Sequence, residues 1–307
     1  MNTAPSRQTQ QAMERKPESE VKAVLRVYQP GSSHMVGDGF PVRNLLPSND
    51  LDRQLNPFIM LDYAGPAHFS PTDTPRGVGE HPHRGFETVT LMYQGAVAHR
   101  DSAGNAGVIG PGDVQWMTAA SGVVHEEMHE RDFARRGGLF EAIQLWVNLP
   151  SRLKMSPPRY QTLTARDIPE VLLPDDGGAV RVVAGEFQGT RGPAKTFTPV
   201  HLYDLRVKAG HAAELDLPET YSSALFVLQG AVTLNGSTPV REAELALLDR
   251  KGRRIALAAS ADATMLVLSG EPIAEPVARY GPFVMNTEQE LIQAVQDYRA
   301  GKMGHLD

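Results

Sequence analysis

The stretch EHPHRGFETVTLMYQGAVAHRDSAGNAGVIGPGDVQWMTAASGVVHEEMHE, residues 80–130, carries the clearest structural pattern in the chain. Short apolar runs, such as FETVTLMY and VQWM, are separated by turn residues, among them Pro111-Gly112-Asp113. Short runs that are rich in β-branched and aromatic residues and bounded by Gly, Pro and Asp predict β-strands. This stretch therefore indicates a sandwich or barrel of short strands.

The same pattern continues on both sides of this stretch. Asn235-Gly236, between two apolar runs, is a strong signal for a two-residue hairpin turn. The 28 glycines and 23 prolines make up about 17% of the chain against an average near 12%, which favours a turn-rich chain. Further apolar runs are VKAVLRVY, AIQLWVNL, VRVVAGEF, HLYDLRV, ALFVLQGAVTL, AELALLD and ATMLVLSG. We therefore expect an all-β fold.

An internal repeat predicts two domains. MYQGAV at 92–97 returns as VLQGAV at 227–232, and each copy lies between two apolar runs. A chain of 307 residues corresponds to about two domains, so the repeat indicates a duplicated β-barrel. With 149–163 as the linker, we expect one barrel over residues 21–155 and a second over 156–307. The polar residues 1–20 predict a disordered tail.

One helix is predicted, near the C-terminus. Thr287 and Glu290 have the spacing of a capping box, and Gly301 would end the helix. We expect this helix to cover a barrel rather than to carry chemistry. The apolar residues at helical spacing that would form its face are Leu291, Ile292, Val295 and Tyr298.

Composition excludes several classes of protein. Cysteine is absent, which rules out disulfides, thiol catalysis and iron–sulfur clusters. The net charge of −6 argues against direct nucleic-acid binding, because phosphate neutralisation needs a basic face. The chain has no apolar run of about 18 residues, and its start lacks the apolar core of a signal peptide. We expect a cytoplasmic protein without a membrane partner.

Five of the ten histidines fall between residues 81 and 129. His81 and His83 are two apart, as are His125 and Glu127, so each pair shares one face of a β-strand. If both strands line one barrel, three imidazoles and one carboxylate converge. That set suits Fe(II), and also Mn, Ni, Zn or Cu. An unbroken strand would bring Glu87 to the same side.

Residues 125–129 also form an H-E-x-x-H sequence. On a helix, His125 and His129 would bind zinc and Glu126 would be the general base of a metalloprotease. The preceding Val123-Val124 and the Arg-rich continuation argue against a buried active-site helix. The zinc protease is therefore a remote alternative, and it differs from the barrel site in needing His129 and Glu126 rather than Glu127.

Four blocks, in this order, resemble the pirin family of the cupin superfamily: HPHRGFETVT, PGDVQWMTAASGVVHEE, IQLWVNLP and YGPFVMNT. The matching segments are spread over residues 57–290. The resemblance implies a bicupin, two double-stranded β-helix (jelly-roll) barrels, with a short C-terminal helix. It also implies that only the N-terminal barrel binds a metal, usually iron.

The resemblance also implies a role for each site residue. In most cupins the carboxylate soon after H-x-H is a ligand, which would be Glu87 here. In pirins that ligand instead resembles Glu127, so we expect Glu87 to orient an imidazole from outside the ligand set. The second barrel has only His201 and His211, ten apart, and is expected to hold no metal. By motif position the metal ligands are His81, His83, His125 and Glu127.

Two functions are compatible with this resemblance. The first is an iron-dependent dioxygenase of the quercetin 2,3-dioxygenase type, which cleaves a flavonol-like ring with O2. In it Glu127 either accepts the proton of the substrate hydroxyl or only holds charge on the metal. The alternative is a non-catalytic, metal-dependent regulatory protein, similar to a transcription cofactor, that binds a protein partner. The sequence assigns no substrate-binding residue.

Overall fold

The computed structural model describes residues 20–47 and 51–306. Most of the predicted tail, residues 1–19, lies outside the described residues. No helix in the described ranges is both long and apolar enough to cross a membrane. The first part of the chain forms β1 (Val24–Tyr28), β2 (His34–Val36), β3 (Phe40–Leu46), α1 (Leu51–Leu55), β4 (Phe58–Phe69), β5 (Gly77–His83), β6 (Phe86–Gln94), β7 (Val97–Asp101), β8 (Ala106–Ile109), β9 (Val114–Thr118), β10 (Val123–His129), α2 (Arg131–Arg136), β11 (Gly138–Asn148) and β12 (Arg159–Leu163).

The second part repeats this β-rich pattern and ends in a helix. Its elements are β13 (Glu170–Leu172), β14 (Gly178–Ala184), β15 (Glu186–Phe187), β16 (Thr190–Arg191), β17 (Val200–Val207), β18 (Ala212–Asp216), β19 (Ser222–Gln229), β20 (Ala231–Leu234), β21 (Thr238–Arg241), β22 (Leu245–Leu248), β23 (Arg254–Ala259), β24 (Ala263–Gly270), β25 (Ala278–Tyr280), β26 (Phe283–Met285) and α3 (Glu288–Arg299).

Each barrel consists of a seven-stranded sheet packed on a four-stranded sheet. In the first barrel the strand orders are β12-β9-β6-β11-β4-β3-β2 and β5-β10-β7-β8. In the second they are β1-β22-β19-β24-β17-β14-β13 and β18-β23-β20-β21. The two QGAV copies occupy equivalent places, at the passage from the large sheet to the small one, between β6 and β7 and between β19 and β20. The predicted all-β, duplicated barrel fold is therefore confirmed.

Two strands pair outside the barrel in which the sequence boundaries put them. β1 pairs with β22 of the second barrel, and β12 pairs with β9 of the first. The seven-stranded sheets also pack against each other, and buried side chains such as Leu145 and Phe226 belong to one shared apolar cluster. The two barrels are thus joined by exchanged strands and a continuous apolar interface.

The interiors of the two barrels differ. The second is filled by buried apolar side chains, among them Leu205, Leu225 and Val267. The apolar cluster inside the first is smaller and rich in phenylalanine, with Phe40, Phe133 and Phe140. This difference leaves room inside the first barrel for a cavity.

The C-terminal segment crosses back to the first barrel. β25 and β26 form a hairpin, Phe283 bridges to Arg84, and Val124 shares an apolar cluster with residues of α3. The predicted capping box of Thr287 and Glu290 is present.

The buried face of α3 differs from the prediction. The buried residues of the helix are Leu291, Ala294 and Asp297, whereas Ile292 is 51% and Tyr298 39% exposed. Asp297 faces inward and pairs with Arg84 of the first barrel, so the buried face includes a charged residue that hydrophobicity alone does not indicate.

Candidate metal centre

Three of the four predicted ligands come together where β5 and β10 pair. The antiparallel register places His125 directly opposite His81, with His83 two residues further along β5. The alternation of a β-strand sends His81 and His83 to the same side. Potential ligand atoms of the three imidazoles all lie within 4.8 Å of one another. This is the one group of three or more potential metal ligands within residues 20–47 and 51–306.

The hydrogen bonds around these imidazoles leave ring nitrogens free for a metal. His81 Nδ1 lies 2.8 Å from the Gly79 carbonyl oxygen, and His125 Nδ1 lies 3.2 Å from Nε2 of His99. His83 Nδ1 and His125 Nε2 are buried and have no hydrogen-bond partner among the described residues. Buried polar atoms are rarely left unpaired, so these two orphaned nitrogens fit a metal site.

Burial also sets the protonation state that a metal needs. It lowers the pKa of His81, and it lowers the pKa of His83 and of His125 well below the usual value. The neighbouring imidazoles lower the pKa of His125 further. Neutral imidazole is the form that binds metals, so this cluster is preset for coordination at neutral pH.

Glu127 stands beside this group on the wall of the same cavity. It follows a shift in the β5–β10 register after His125, and its Oε1 lies 3.4 Å from the Thr90 hydroxyl. Burial raises the pKa of the Glu127 carboxyl to about 7, although the bond from Thr90 acts in the opposite direction. Glu127 is not part of the group of three imidazoles, and its roles as ligand and as proton acceptor stay predictions.

His81 and His83 line a cavity of about 350 Å³ inside the first barrel, and His125 is fully buried beside them. This volume is within the range of small-molecule sites. Trp146, whose ring packs at a tilt against Phe86 and meets the His83 ring edge-on, forms one wall, and Pro282 of the C-terminal segment forms another. The remaining apolar wall residues are Val36, Phe40, Val42, Met60, Ala64, Val78 and Ala142.

A row of polar side chains crosses the large sheet of the first barrel. Each member lies directly opposite the next on the neighbouring strand, so all project to one face. Three of them, Asp62, Gln144 and Thr90, line the cavity. Thr90 Oγ1 donates to Gln144 Oε1 at 2.5 Å. This cross-strand polar row consists of Asn44, Asp62, Gln144, Thr90, Gln115 and Thr162.

Sequence reasoning missed the cavity residues of this row. Asp62 and Gln144 interrupt the apolar runs FIMLDYA and AIQLWV, where every second residue faces the barrel interior. A polar residue within such a run was the available signal. Their meeting on one wall depends on the register of strands distant in sequence.

Glu87 is buried on β6 in a different environment from the one expected. β5 ends at His83 and β6 begins at Phe86, so the strand is not unbroken. Glu87 accepts a hydrogen bond from the Thr118 hydroxyl at 2.7 Å, and Arg159 Nη2 lies 4.0 Å away. Burial raises its pKa to about 7. Glu87 was expected to orient an imidazole, and it could do so only through these neighbours. That role stays a prediction.

The H-E-x-x-H sequence lies on a strand. Residues 123–129 form β10, so His125 and His129 are four residues apart along an extended chain. That spacing separates them too far to bind one ion together, as they would on a helix. His129 Nε2 instead contacts the Gly39 carbonyl oxygen at 2.8 Å, and its ring stacks on Phe140. The zinc-protease alternative is therefore wrong.

Comparison with known proteins gives one consistent assignment. The profile named Pirin matches residues 39–147, and that of the pirin C-terminal cupin domain matches residues 202–304. A Pseudomonas aeruginosa protein, provisionally named quercetin 2,3-dioxygenase, is 54% identical over 282 residues, which is 92% of this chain and 98% of that protein. A pirin-like protein from Solanum lycopersicum is 42% identical over 87% of this chain and 88% of its own length.

The fold comparison agrees. A crystal structure of quercetin 2,3-dioxygenase from Acinetobacter baumannii superposes with a TM-score of 0.90 at 49% identity, covering 93% of this chain and 99% of that one. Both barrels and most of the described sequence are included in these matches, which establishes that this chain is a member of the pirin family.

Proposed function

We propose that this chain is a metal-dependent dioxygenase of the quercetin 2,3-dioxygenase type, with Fe(II) as its metal. The observation that carries the proposal is the convergence of three neutral imidazoles, two of which, His81 and His83, line an apolar cavity of about 350 Å³. The names of the Pseudomonas and Acinetobacter proteins support the same reaction class. The substrate would be a flavonol-like aromatic molecule that enters with O2.

The residues that would hold the metal are His81, His83 and His125, with Glu127 as the carboxylate ligand. When bound, the metal supplies Lewis acidity, which lowers the pKa of the substrate hydroxyl and activates the ring toward O2. Imidazole and carboxylate donors suit Fe(II), and they also accept Mn, Ni, Zn or Cu. Loading with each metal in turn tests which of these ions supports turnover.

The side chains around the cavity would accept a proton, contact the carboxylate and exclude water. Glu127 accepts the proton of the substrate 3-hydroxyl, because it is the carboxylate on the cavity wall beside the imidazoles. Thr90 borders that carboxylate, with its hydroxyl oxygen 3.4 Å from Glu127 Oε1, while its hydrogen is donated to Gln144 Oε1 at 2.5 Å. Trp146, Met60 and Phe40 bound the site with apolar surface, which excludes water from the reacting ring. The reaction consumes a flavonol and O2 and yields carbon monoxide and an ester.

The test is flavonol consumption and carbon monoxide release by the Fe(II)-loaded protein. We expect turnover in the natural chain and its loss in His125→Ala. His201→Ala is the matched control, because it removes a half-buried histidine of the second barrel, and it should keep full activity. Absence of turnover in protein that holds one iron per chain would contradict the proposal.

A second candidate is a regulatory protein without turnover that binds a protein partner. One surface favours it: Val277, Tyr280 and Ile292 are exposed side by side along a groove between β25 and α3. A metal-loaded protein that retains a partner through this groove and consumes no flavonol would support this second function.

A further inference from the structure

His99 touches the candidate metal centre from outside its ligand set. It lies on β7, which pairs with β10 so that His99 faces Glu127 and Asp101 faces His125. The His99 side chain reaches diagonally, and its Nε2 lies 3.2 Å from Nδ1 of His125. Both residues are buried, with His99 4% and His125 0% exposed, so water does not compete for this contact.

The tautomers of imidazole determine which of the two histidines donates the hydrogen bond in this contact. A neutral imidazole carries one N–H, and its other nitrogen is an acceptor. If Nε2 of His125 binds a metal, Nδ1 must carry the hydrogen and needs an acceptor. His99 Nε2 is the hydrogen-bond partner of His125 Nδ1 within the described ranges. His99 then accepts, and its own hydrogen is on Nδ1, a buried atom that has no hydrogen-bond partner among the described residues.

His81 follows the same rule with a different partner. Its Nδ1 lies 2.8 Å from the Gly79 carbonyl oxygen, which fixes the hydrogen on Nδ1 and leaves Nε2 to a metal. The backbone thus orients His81, and a side chain performs that task for His125. Outer partners of this kind commonly set the tautomer and ring orientation of a metal-binding histidine.

Neighbouring strands hold the His99 ring in turn. Tyr160 of β12 stacks on it, with ring centroids 5.1 Å apart and planes within 9°. Gly107 lies opposite His99 on β8, and a Cβ there would come within 3.0 Å of the Tyr160 hydroxyl oxygen. The missing side chain at 107 therefore leaves the space in which Tyr160 covers His99.

We propose that His99 is a positioning residue for the metal centre: it accepts a hydrogen bond from Nδ1–H of His125 and holds Nε2 of that imidazole toward the metal. This inference rests on the proposed function only in requiring a metal at the three imidazoles. Tyr160 of β12 holds the His99 ring in place by stacking on it. The centre is thereby built from three layers, metal ligand, His99 and Tyr160.

The test is metal affinity, measured with Ni(II) alone by chelator competition, in His99→Leu and His99→Gln. Loss of an outer partner commonly weakens metal affinity 10–100-fold, and we expect a loss of that size in the Leu variant. Gln offers an acceptor oxygen in the same place and should recover most of the affinity. With Co(II) bound, the visible spectrum should shift in the Leu variant and return toward that of the natural chain in the Gln variant.

His201→Leu is the matched control. His201 Nδ1 lies 2.6 Å from the Tyr203 hydroxyl in the second barrel, so this change also removes a histidine that contacts a tyrosine, although His201 is half-buried. Its Ni(II) affinity should equal that of the natural chain. Tyr160→Leu removes the stacked ring without touching His99 and should weaken Ni(II) binding to a smaller extent, which keeps a test available if the His99 variants do not fold.

Unchanged Ni(II) affinity in folded His99→Leu, or an equal loss in the Leu and Gln variants, would overturn the proposal. Neither readout depends on flavonol chemistry. Tight Ni(II) binding with the predicted variant pattern, in a protein that consumes no flavonol, would contradict the proposed function and leave the role of His99 standing.

Discussion

Each imidazole of the cluster keeps one ring nitrogen available for a metal. In His81 and His125 the other nitrogen contacts a neighbouring group, and the ring of His83 is buried. A carbonyl oxygen serves His81, and His99 serves His125. Burial keeps all three rings neutral. At the residue scale, the centre is therefore organised by groups that the metal itself would not touch.

Glu127→Gln separates binding from proton transfer. The amide cannot accept the substrate proton, and general-base catalysis contributes about 10²–10⁴-fold, so we expect flavonol turnover to fall by roughly that factor. The three imidazoles should still retain metal, with lower affinity. Steady-state turnover together with metal content per chain checks this, and full activity in the variant would remove Glu127 from the mechanism.

Glu87→Gln predicts a pH-dependent gain in stability. The folded pKa of Glu87 is about 7, raised from 4.5 by burial, so the folded chain binds more protons than the unfolded chain between these values and loses stability as pH rises through them. Gln carries no such penalty. Relative to the natural chain, the variant should gain up to about 3 kcal/mol at pH 8 compared with pH 4.

Urea unfolding of metal-free protein at both pH values measures this difference. A variant effect that is the same at acidic and alkaline pH would show that Glu87 does not titrate with the folded structure.

At the element scale, the cross-strand polar row places one polar residue on each of six adjacent strands. Adjacent strands are about 4.8 Å apart, so Asp62 lies roughly 10 Å across the sheet from Thr90, which contacts Glu127. Asn44 donates to Asp62 Oδ1 and holds the carboxylate at the cavity wall. The row thus joins the candidate metal centre to a second acceptor further along the cavity.

Asp62→Asn should weaken the binding of flavonols that carry a hydroxyl far from the 3-hydroxyl. Loss of a hydrogen bond to a charged acceptor corresponds to about a tenfold drop in affinity. A flavonol without that hydroxyl should bind both proteins equally. Anaerobic titration of metal-loaded protein with the two flavonols measures this, with Asp73→Asn, an exposed residue outside the cavity, as control. Equal losses for both flavonols would contradict the assignment.

The H-E-x-x-H sequence shows that a local pattern can indicate secondary structure but not the tertiary surroundings of a side chain. The same five residues place zinc ligands on one side of a helix, or separate them along a strand. The preceding valines indicated a strand, and β10 confirms it. The residues that surround His129, including Phe40 and Phe140, come from other strands and carry no signal near the motif.

At the scale of the whole molecule, the C-terminal segment completes the first barrel. Pro282 lines the cavity. Lys154, 1% exposed, donates from Nζ to the carbonyl oxygens of Gly85 and Val284 and to Asn148 Oδ1. Arg84, between β5 and β6, pairs with Asp297 of α3 at 2.9 Å. Residues more than 200 positions apart thereby fix the strand that carries His83.

Asp297→Ala should destabilise the protein through Arg84. Removing one partner of a buried ion pair leaves an uncompensated charge and costs about 3 kcal/mol. Asp73→Ala breaks the exposed pair with Arg135 and should cost less than about 1 kcal/mol. Chemical denaturation of both variants gives the comparison. Equal effects of the two substitutions would show that the Arg84–Asp297 pair does not secure the segment.

The sequence was informative about repeated and local features. Alternating apolar runs, the QGAV repeat and the His-x-His spacing predicted a duplicated β-barrel and the three imidazoles that meet. It could not give the cavity wall, because Asp62, Thr90 and Gln144 meet only through strand register. It also could not show that β1 and β12 pair with the other barrel, since strand exchange depends on the packing of the complete chain.

The measurement that tests the central claim most directly uses oxygen gas enriched in the heavy isotope, with the Fe(II)-loaded chain and a flavonol. A dioxygenase at His81, His83 and His125 predicts that both oxygen atoms of one O2 molecule enter the ester product. It also predicts that carbon monoxide keeps the unlabelled oxygen of the substrate hydroxyl. An ester with one heavy oxygen atom or none, or flavonol loss without carbon monoxide, would contradict it.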